Sequence, residues 1–185
     1  MTMLLASTLL GCGADEPDCE GAVIELSVEE VAFGDLALSG QRGVEGDFQV
    51  PERRTLFARN RCGAPLIIDA ACLLNNTHNG DPSDPAFYLE YEPGVDLPIS
   101  IRPGRDAALR VTFDVESVNQ DLDNDETIDE DQSILVLFSN ASNASPIAIP
   151  VCARAVDSDT LMPPGACTLP EDFDLSAVSK SACGG

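Results

Sequence analysis

The feature that most constrains this chain is a hydrophobic period of two. From Ala22 onward, short apolar runs alternate with polar residues and are separated by Pro, Gly, Asn and Asp. Ile24, Leu26 and Val28 share one face, with Glu25 and Ser27 on the other. Phe87, Leu89 and Tyr91 alternate with Tyr88, Glu90 and Glu92, and Leu97, Ile99 and Ile101 with Pro98, Ser100 and Arg102. Leu109, Val111, Phe113 and Val115 stand against Arg110, Thr112, Asp114 and Glu116, and Ile134, Val136, Phe138 and then Ile147, Ile149, Val151 continue the pattern. Successive side chains of a strand point to opposite faces, so such runs are half-buried strands. No window keeps a 3.6-residue period for three turns. Many short strands divided by Gly- and Pro-rich turns predict an all-β sandwich. Within it, Gly63 and Gly104 suit turns that need a positive φ. Pro150 cannot donate a ladder hydrogen bond, which predicts an edge or bulge position in the last strand.

Charge and residue usage narrow the function. The 185 residues suit one domain with extra segments. The formal net charge is −22, with ten basic residues and Lys180 as the sole lysine. That balance excludes a nucleic-acid partner, because phosphate binding needs clustered Lys and Arg. A single histidine, His78, removes most histidine-dependent catalytic schemes. It lies in the polar, turn-rich stretch 75–81 and is expected as an exposed loop residue. No G-x-S-x-G, H-E-x-x-H or P-loop pattern occurs.

Residues 1–10 read M-T-M-L-L-A-S-T-L-L, an apolar run closed by Gly11-Cys12. A short apolar segment ending in small residues marks export. Leu9-Leu10-Gly11-Cys12 resembles the lipobox of bacterial lipoproteins. That resemblance implies a signal peptide over 1–11, acylation of Cys12 with palmitate among the chains, and a polar tether over 12–20. The family's basic residues ahead of the apolar run are missing, and a start upstream would supply them. Several acyl chains hold stably where one binds only marginally. At about 3.3 Å per residue, residues 13–20 reach at most roughly 26 Å from the bilayer. Gly13, standing where Asp would signal inner-membrane retention, implies the outer membrane.

Once Cys12 is assigned to lipid, Cys19, Cys62, Cys72, Cys152, Cys167 and Cys183 remain. An even set in an exported chain reads as a disulfide framework, with free buried thiols as the alternative. No C-x-x-C spacing supports structural zinc.

A further resemblance covers residues 21–156. Val31-Ala32-Phe33-Gly34-Asp35 follows an opening strand, and Arg61-Cys62-Gly63-Ala64-Pro65-Leu66 forms a turn. Pro103-Gly104 precedes Leu109-Arg110-Val111-Thr112-Phe113, and Phe138-Ser139-Asn140 precedes the last strand. In this order the motifs resemble those of the choice-of-anchor D, or ASH/Hydin-like, immunoglobulin-like domains. Two departures are Cys62 within the turn and insertions at 75–85 and 117–132. The resemblance implies an immunoglobulin-like β-sandwich of seven to eight antiparallel strands, followed by an irregular tail over 157–185. Its strand order implies the pairs Cys19–Cys62, Cys72–Cys152 and Cys167–Cys183.

The second insertion carries the densest charge: seven of the 32 acidic residues fall within 121–131. Asp121, Asp123 and Asp125 have the D-x-D-x-D spacing of calcium loops, with Thr127 and Asp129 in the same phase. Calcium takes six to eight hard oxygens, which such a loop supplies within a short arc. Glu126 stands where the sharp turn wants Gly, and Gln132 replaces the closing acid. A solvated, self-repelling loop is the alternative. Arg53, Arg54, Arg59 and Arg61 cluster around one strand, either as surface ion pairs or as a docking face for an acidic partner. Three Asn-x-Ser/Thr triplets, at Asn75, Asn140 and Asn143, fit turn chemistry in a bacterial lipoprotein.

Together these readings describe a non-enzymatic cell-envelope lipoprotein that presents an immunoglobulin-like binding or structural module to a protein partner. A calcium-dependent envelope module is the alternative, and a hydrolase whose site no motif reveals is a third.

Overall fold

The computed structural model describes residues 21–38, 49–157 and 161–183. The signal and tether segments, with Cys12 and Cys19, lie outside the described residues. Among the described residues nine strands follow one another: β1 (Ile24–Leu26), β2 (Val31–Ala37), β3 (Glu52–Asn60), β4 (Leu66–Leu74), β5 (Phe87–Tyr91), β6 (Ile99–Ile101), β7 (Asp106–Phe113), β8 (Asp131–Ser139) and β9 (Ile147–Val156). They form two sheets, of order β1-β3-β7-β5 and β2-β9-β8-β4-β6. The first reproduces the A-B-E-D sheet of immunoglobulin-like sandwiches, and β9-β8-β4 the opposing G-F-C sheet. The domain is therefore an immunoglobulin-like β-sandwich.

One pairing departs from the expected all-antiparallel order. The chain passes from the first sheet to the second between β1 and β2, and β2 runs parallel to β9. Pro150 also differs from expectation, because β9 has a neighbour on each side. Its β2 partner first engages at Val151, one residue beyond Pro150. The missing N–H thus falls where β9 has only β8 beside it. Gly104 has φ +69°, as its turn requires, whereas Gly63 is not among the glycines with positive φ.

The core fills the space between the sheets. Phe33 of β2 meets Phe87 of β5 and Phe113 of β7 at ring-centroid distances of 6.0 and 6.1 Å, and Phe87 and Phe113 lie 5.2 Å apart. All three pairs are tilted, the arrangement that ring quadrupoles favour. Leu36, Leu56, Leu66, Ile68, Leu109, Leu135, Leu137 and Ile149 complete this layer. The Arg54 guanidinium sits 5.7 Å from the Phe33 ring centroid, a cation–π contact at the sheet edge.

Strand β8 is buried on both faces. Leu135 and Leu137 enter the inter-sheet core, while Ile134 and Val136, equally buried, point the other way. The C-terminal segment attaches on that outer side. Cys72 is paired with Val136 across β4 and β8, and Cys152 with Gln132 across β8 and β9, so both cysteines share the face of Ile134 and Val136. Their disulfides are Cys72–Cys183 and Cys152–Cys167, with Cα–Cα distances of 5.1 and 5.8 Å. Between them lie two single-turn 3-10 helices, Leu175–Ala177 and Lys180–Cys183.

These bonds correct the expected Cys72–Cys152 and Cys167–Cys183 pairs. Strand β8 lies between β4 and β9, and neighbouring strands are about 4.8 Å apart. Cys72 and Cys152 are thus separated by about 9.6 Å across the sheet alone, with a further four-residue offset along β8, beyond the roughly 7 Å a disulfide spans. Cys72 and Cys152 instead each bind one tail cysteine. Cys62 is also disulfide-bonded, while the Cys19 of its expected pair lies outside the described residues.

The tail covers the free edge of β2 as well. The Asp35 N–H donates to Met162 O at 3.1 Å, and Met162 N–H donates to the Asp35 carboxylate at 3.0 Å. Cys167 N–H donates to the Glu30 carboxylate at 2.7 Å. Gly34 has φ +79°, and a Cβ there would lie 2.6 Å from Pro164 N, so only glycine admits the tail this close. An unpaired strand edge is a template for association, and here the chain's own end occupies it.

Truncation of a ring at the centre of the aromatic cluster removes contacts to both sheets. Phe113→Ala is expected to lower stability by about 3–5 kcal/mol, read from the midpoint of denaturant unfolding.

Candidate functional site

Both insertions leave the sandwich at one end. Leu74, the end of β4, lies opposite Ile134 near the start of β8, and Phe87, the start of β5, lies opposite Phe113 at the end of β7. Residues 75–86 and 114–130 therefore rise from adjacent strand ends. The first is anchored by Asn76, whose side-chain amide acts as a strand neighbour. It accepts the Phe87 N–H at 2.9 Å and donates to Phe87 O at 2.6 Å.

His78 is the hub of the junction. It is 2% exposed, which overturns the expectation of an exposed loop histidine. Its Nδ1 lies 2.6 Å from Oδ2 of Asp131, itself 4% exposed at the start of β8. Its Nε2 lies 2.9 Å from the Ser117 hydroxyl and 3.0 Å from Asn79 Nδ2. Oδ1 of Asp131 accepts the Asn79 N–H at 3.0 Å. With the carboxylate accepting on both oxygens, the network assigns the ring proton to Nδ1, and the Nε2 lone pair faces Ser117. Asn79 then joins the two insertions directly, donating to Val118 O at 3.2 Å and accepting the Gln120 N–H at 2.9 Å. Asn79 adopts φ +50°, a conformation that Asn tolerates better than most side chains.

Two further bonds tie the second insertion to β9. Asn119 exchanges hydrogen bonds with the Ala155 backbone, at 2.8 Å from its N–H and 2.7 Å to its side-chain oxygen. Arg154 donates to Ile128 O at 3.0 Å while pairing with Asp35 at 2.7 Å.

Of the sequence-derived calcium residues, the fold brings three together. Ligand-type oxygens of Asp121, Asp123 and Asp129 all lie within 4.8 Å of one another. Asp125 is not one of the three: its carboxylate accepts the Thr127 N–H at 2.8 Å and is bonded by the Thr127 hydroxyl. Those two bonds hold its pKa below the ordinary value. The Asp125 N–H donates to Asp123 and lowers the Asp123 pKa. Partial desolvation and the charges of Asp125, Asp129 and Asp121 outweigh it, so the Asp123 pKa lies above the ordinary value. Glu126, in place of the expected Gly, still takes the sharp turn, at φ +73°. Its N–H and that of Asp125 donate to Asp121 at 3.0 and 3.2 Å. Gln132 is in β8 opposite Cys152, outside the acidic cluster.

A cavity of about 430 Å³ opens between the insertions, with Thr77, Asn79, Asn119, Leu122, Asp129 and Asp131 in its wall. Asn79 and Asp131 both bond His78, so the cavity borders the histidine network. The arginine cluster is largely ion-paired. Arg53 binds Glu90 at 3.0 Å, Arg54 binds Glu52 at 3.6 Å, and Arg61 binds Glu25 at 2.8 Å. The Arg61 hydrogen bond lowers the pKa of Glu25.

No protein-family model and no curated protein matches the chain. Among solved structures, a protein of unknown function from Porphyromonas gingivalis W83 is similar over 72% of this chain and 46% of its own, at 18% identity and a TM-score of 0.45. The periplasmic chaperone SfaE is similar over 71% of this chain and 57% of its own, at 13% identity and a TM-score of 0.38. The ASH/PapD-like domain 7 of human CEP192 is similar over 85% and 99%, at 8% identity and a TM-score of 0.40. The chain spans about half the length of the first two. These likenesses carry no argument about function, and the fold assignment rests on the sheet order itself.

His78→Ala leaves Asp131 Oδ2 buried without its partner. The substitution is expected to cost about 1–3 kcal/mol, measured as a lowered unfolding midpoint with both disulfides intact.

Proposed function

We propose that this protein is an exported, lipid-anchored envelope module that uses its immunoglobulin-like sandwich to bind a protein partner or to serve a structural role. The observation that carries the reading is the pair of disulfides, Cys72–Cys183 and Cys152–Cys167, joining the tail to the sandwich. Such bonds persist in oxidising compartments and are rare in the cytosol. They agree with the lipobox-like Leu9-Leu10-Gly11-Cys12, which the reading takes as the anchor. Acylated Cys12 would place the domain beside a bilayer, in the outer membrane according to the residue at position 13. The net charge of −22 would repel anionic headgroups, so the acyl chains must do the anchoring.

Membrane fractionation of cells expressing the full chain tests this. The native protein is expected in the membrane fraction, labelled by palmitate, with both disulfides in a non-reducing peptide map. Cys12→Ser is expected to lose the label. Recovery of the unmodified chain in the cytosol with reduced cysteines would overturn the reading.

A second reading, a calcium-dependent module, is favoured by the convergence of Asp121, Asp123 and Asp129. The residues fit a calcium ion in part. Three hard carboxylate oxygens face one point, Thr127 follows in the phase that offers a backbone carbonyl, and water would complete six to eight ligands. A bound cation would also relieve the repulsion that raises the Asp123 pKa. With few protein ligands, affinity belongs to the weak range of extracellular modules, a Kd of about 10⁻⁴–10⁻³ M. Calorimetric titration with calcium chloride is expected to show one site in that range, abolished in Asp121→Asn. No heat at millimolar calcium and an unchanged melting temperature in chelator would exclude it.

A further inference from the structure

We propose that Ser117, His78 and Asp131 form a nucleophile–base–acid relay that gives this module an esterase activity toward small carboxylic esters. Ser117 and Asp131 are 39 and 53 positions from His78 along the chain, and only the fold assembles the three.

The geometry meets the requirements of activated-serine chemistry in each link. The nucleophile–base distance, Ser117 Oγ to His78 Nε2, is 2.9 Å. The base–orienter distance, His78 Nδ1 to Asp131 Oδ2, is 2.6 Å. Both lie in the range for such a relay, which is recognised by geometry and roles rather than by sequence order. Burial is graded in the useful direction. Asp131 and His78 are enclosed, while Ser117 is exposed, so a substrate carbonyl can reach the hydroxyl but water cannot compete for the His78–Asp131 bond. Asp131 is further held by the Asn79 N–H, which fixes the carboxylate that orients the ring.

The side-chain amide of Asn79 supplies the electrophilic element. One Nδ2 hydrogen goes to Val118 O, and the same nitrogen lies 3.0 Å from His78 Nε2. When Nε2 accepts the Ser117 proton, the second Asn79 hydrogen is left to donate to an oxyanion forming beside Ser117. A donor released beside the nucleophile in this way stabilises charge that develops only in the transition state.

The reaction balances with water as the only co-reactant. Ser117 Oγ bonds to the ester carbonyl carbon, and its proton passes to His78 Nε2. The carbon–alkoxy bond then breaks, the leaving oxygen takes that proton from His78, and an alcohol departs from acyl-Ser117. Water adds to the acyl carbon and gives a proton to His78. The carbon–Oγ bond breaks, Oγ recovers the proton, and the free acid leaves. The formal net charge is −22, and Asp129, Glu130 and Asp131 line a cavity beside the histidine network, so the field around Ser117 repels anionic esters more than neutral ones.

The competing role for the same bonds is purely structural: a strut that locks the two insertions together. Covalent chemistry separates the two. The folded full chain is treated with a fluorophosphonate and, separately, assayed with p-nitrophenyl acetate and anionic p-nitrophenyl succinate. The relay predicts a single phosphonyl adduct at Ser117 by peptide mass, and turnover of the acetate well above the succinate. Ser117→Ala, a surface change that leaves the His78–Asp131 bond in place, abolishes the adduct and lowers acetate turnover at least a hundredfold. Asp131→Asn preserves the side-chain shape and slows labelling at least tenfold, which a strut role does not require. An unlabelled Ser117 in the folded wild-type chain, or acetate turnover unchanged in Ser117→Ala, overturns the proposal and leaves the strut. Neither result bears on export or lipid anchoring, which are tested separately by fractionation.

Discussion

Burial of Phe33 between Phe87 and Phe113 is the interaction on which the rest of the molecule depends. Phe33 comes from one sheet and its two neighbours from the other, so the cluster sets how the sheets face each other. Phe87 and Phe113 also stand where the two insertions begin, at the start of β5 and the end of β7. Locking these rings therefore fixes the roots of residues 75–86 and 114–130. The Asn76 side chain extends that order one step outward by pairing with the Phe87 backbone. From there the buried His78–Asp131 pair and the Asn79 bridges close the junction. Its polar groups are expensive to bury singly and become stable only as a connected set.

A second constraint comes from β8, whose run Ile134-Leu135-Val136-Leu137 is buried on both faces. A sheet in this position leaves an apolar outer side that one layer cannot cover. The C-terminal segment meets that need and is secured at Cys152 and at Cys72, on either side of β8. The same segment satisfies the open edge of β2 through Asp35, with Gly34 giving the room. The chain end is thus part of the sandwich's outer layer, and its two cysteines are spaced to straddle a strand. Closing loops of 111 and 15 residues also restricts the unfolded chain, the longer one more strongly.

Most strands were legible because a period of two is a local property: β1, β5, β6, β7 and β9 each fall on the alternation of their own residues, whereas β8 is a continuous apolar run whose core face is Leu135 and Leu137 rather than the expected Ile134 and Val136. The parallel β2–β9 pair was not legible, since nothing in Val31–Ala37 states which sheet it joins. Cysteine parity marked an oxidised framework, but its connectivity depends on which strands are neighbours. Strand β8, inserted between β4 and β9, is what separates Cys72 from Cys152. The acidic spacing placed Asp121, Asp123 and Asp129 on one arc, because five- to nine-residue loops are locally determined. Asp125 escaped because Thr127 competes for its carboxylate. His78 was misplaced for a related reason. A polar, turn-rich stretch reads as exposed until a second polar insertion packs on it.

By itself, then, the sequence determined an all-β sandwich, its main strands, a charge far from zero and a dense acidic loop. Each follows from side-chain alternation, turn chemistry or composition, which act over a few residues. Only the tertiary structure decided the sheet order, the disulfide partners, the docking of the tail and the meeting of Ser117, His78 and Asp131. Those features join residues separated by as many as 137 positions, and their proximity exists only once the two sheets have closed on a common core.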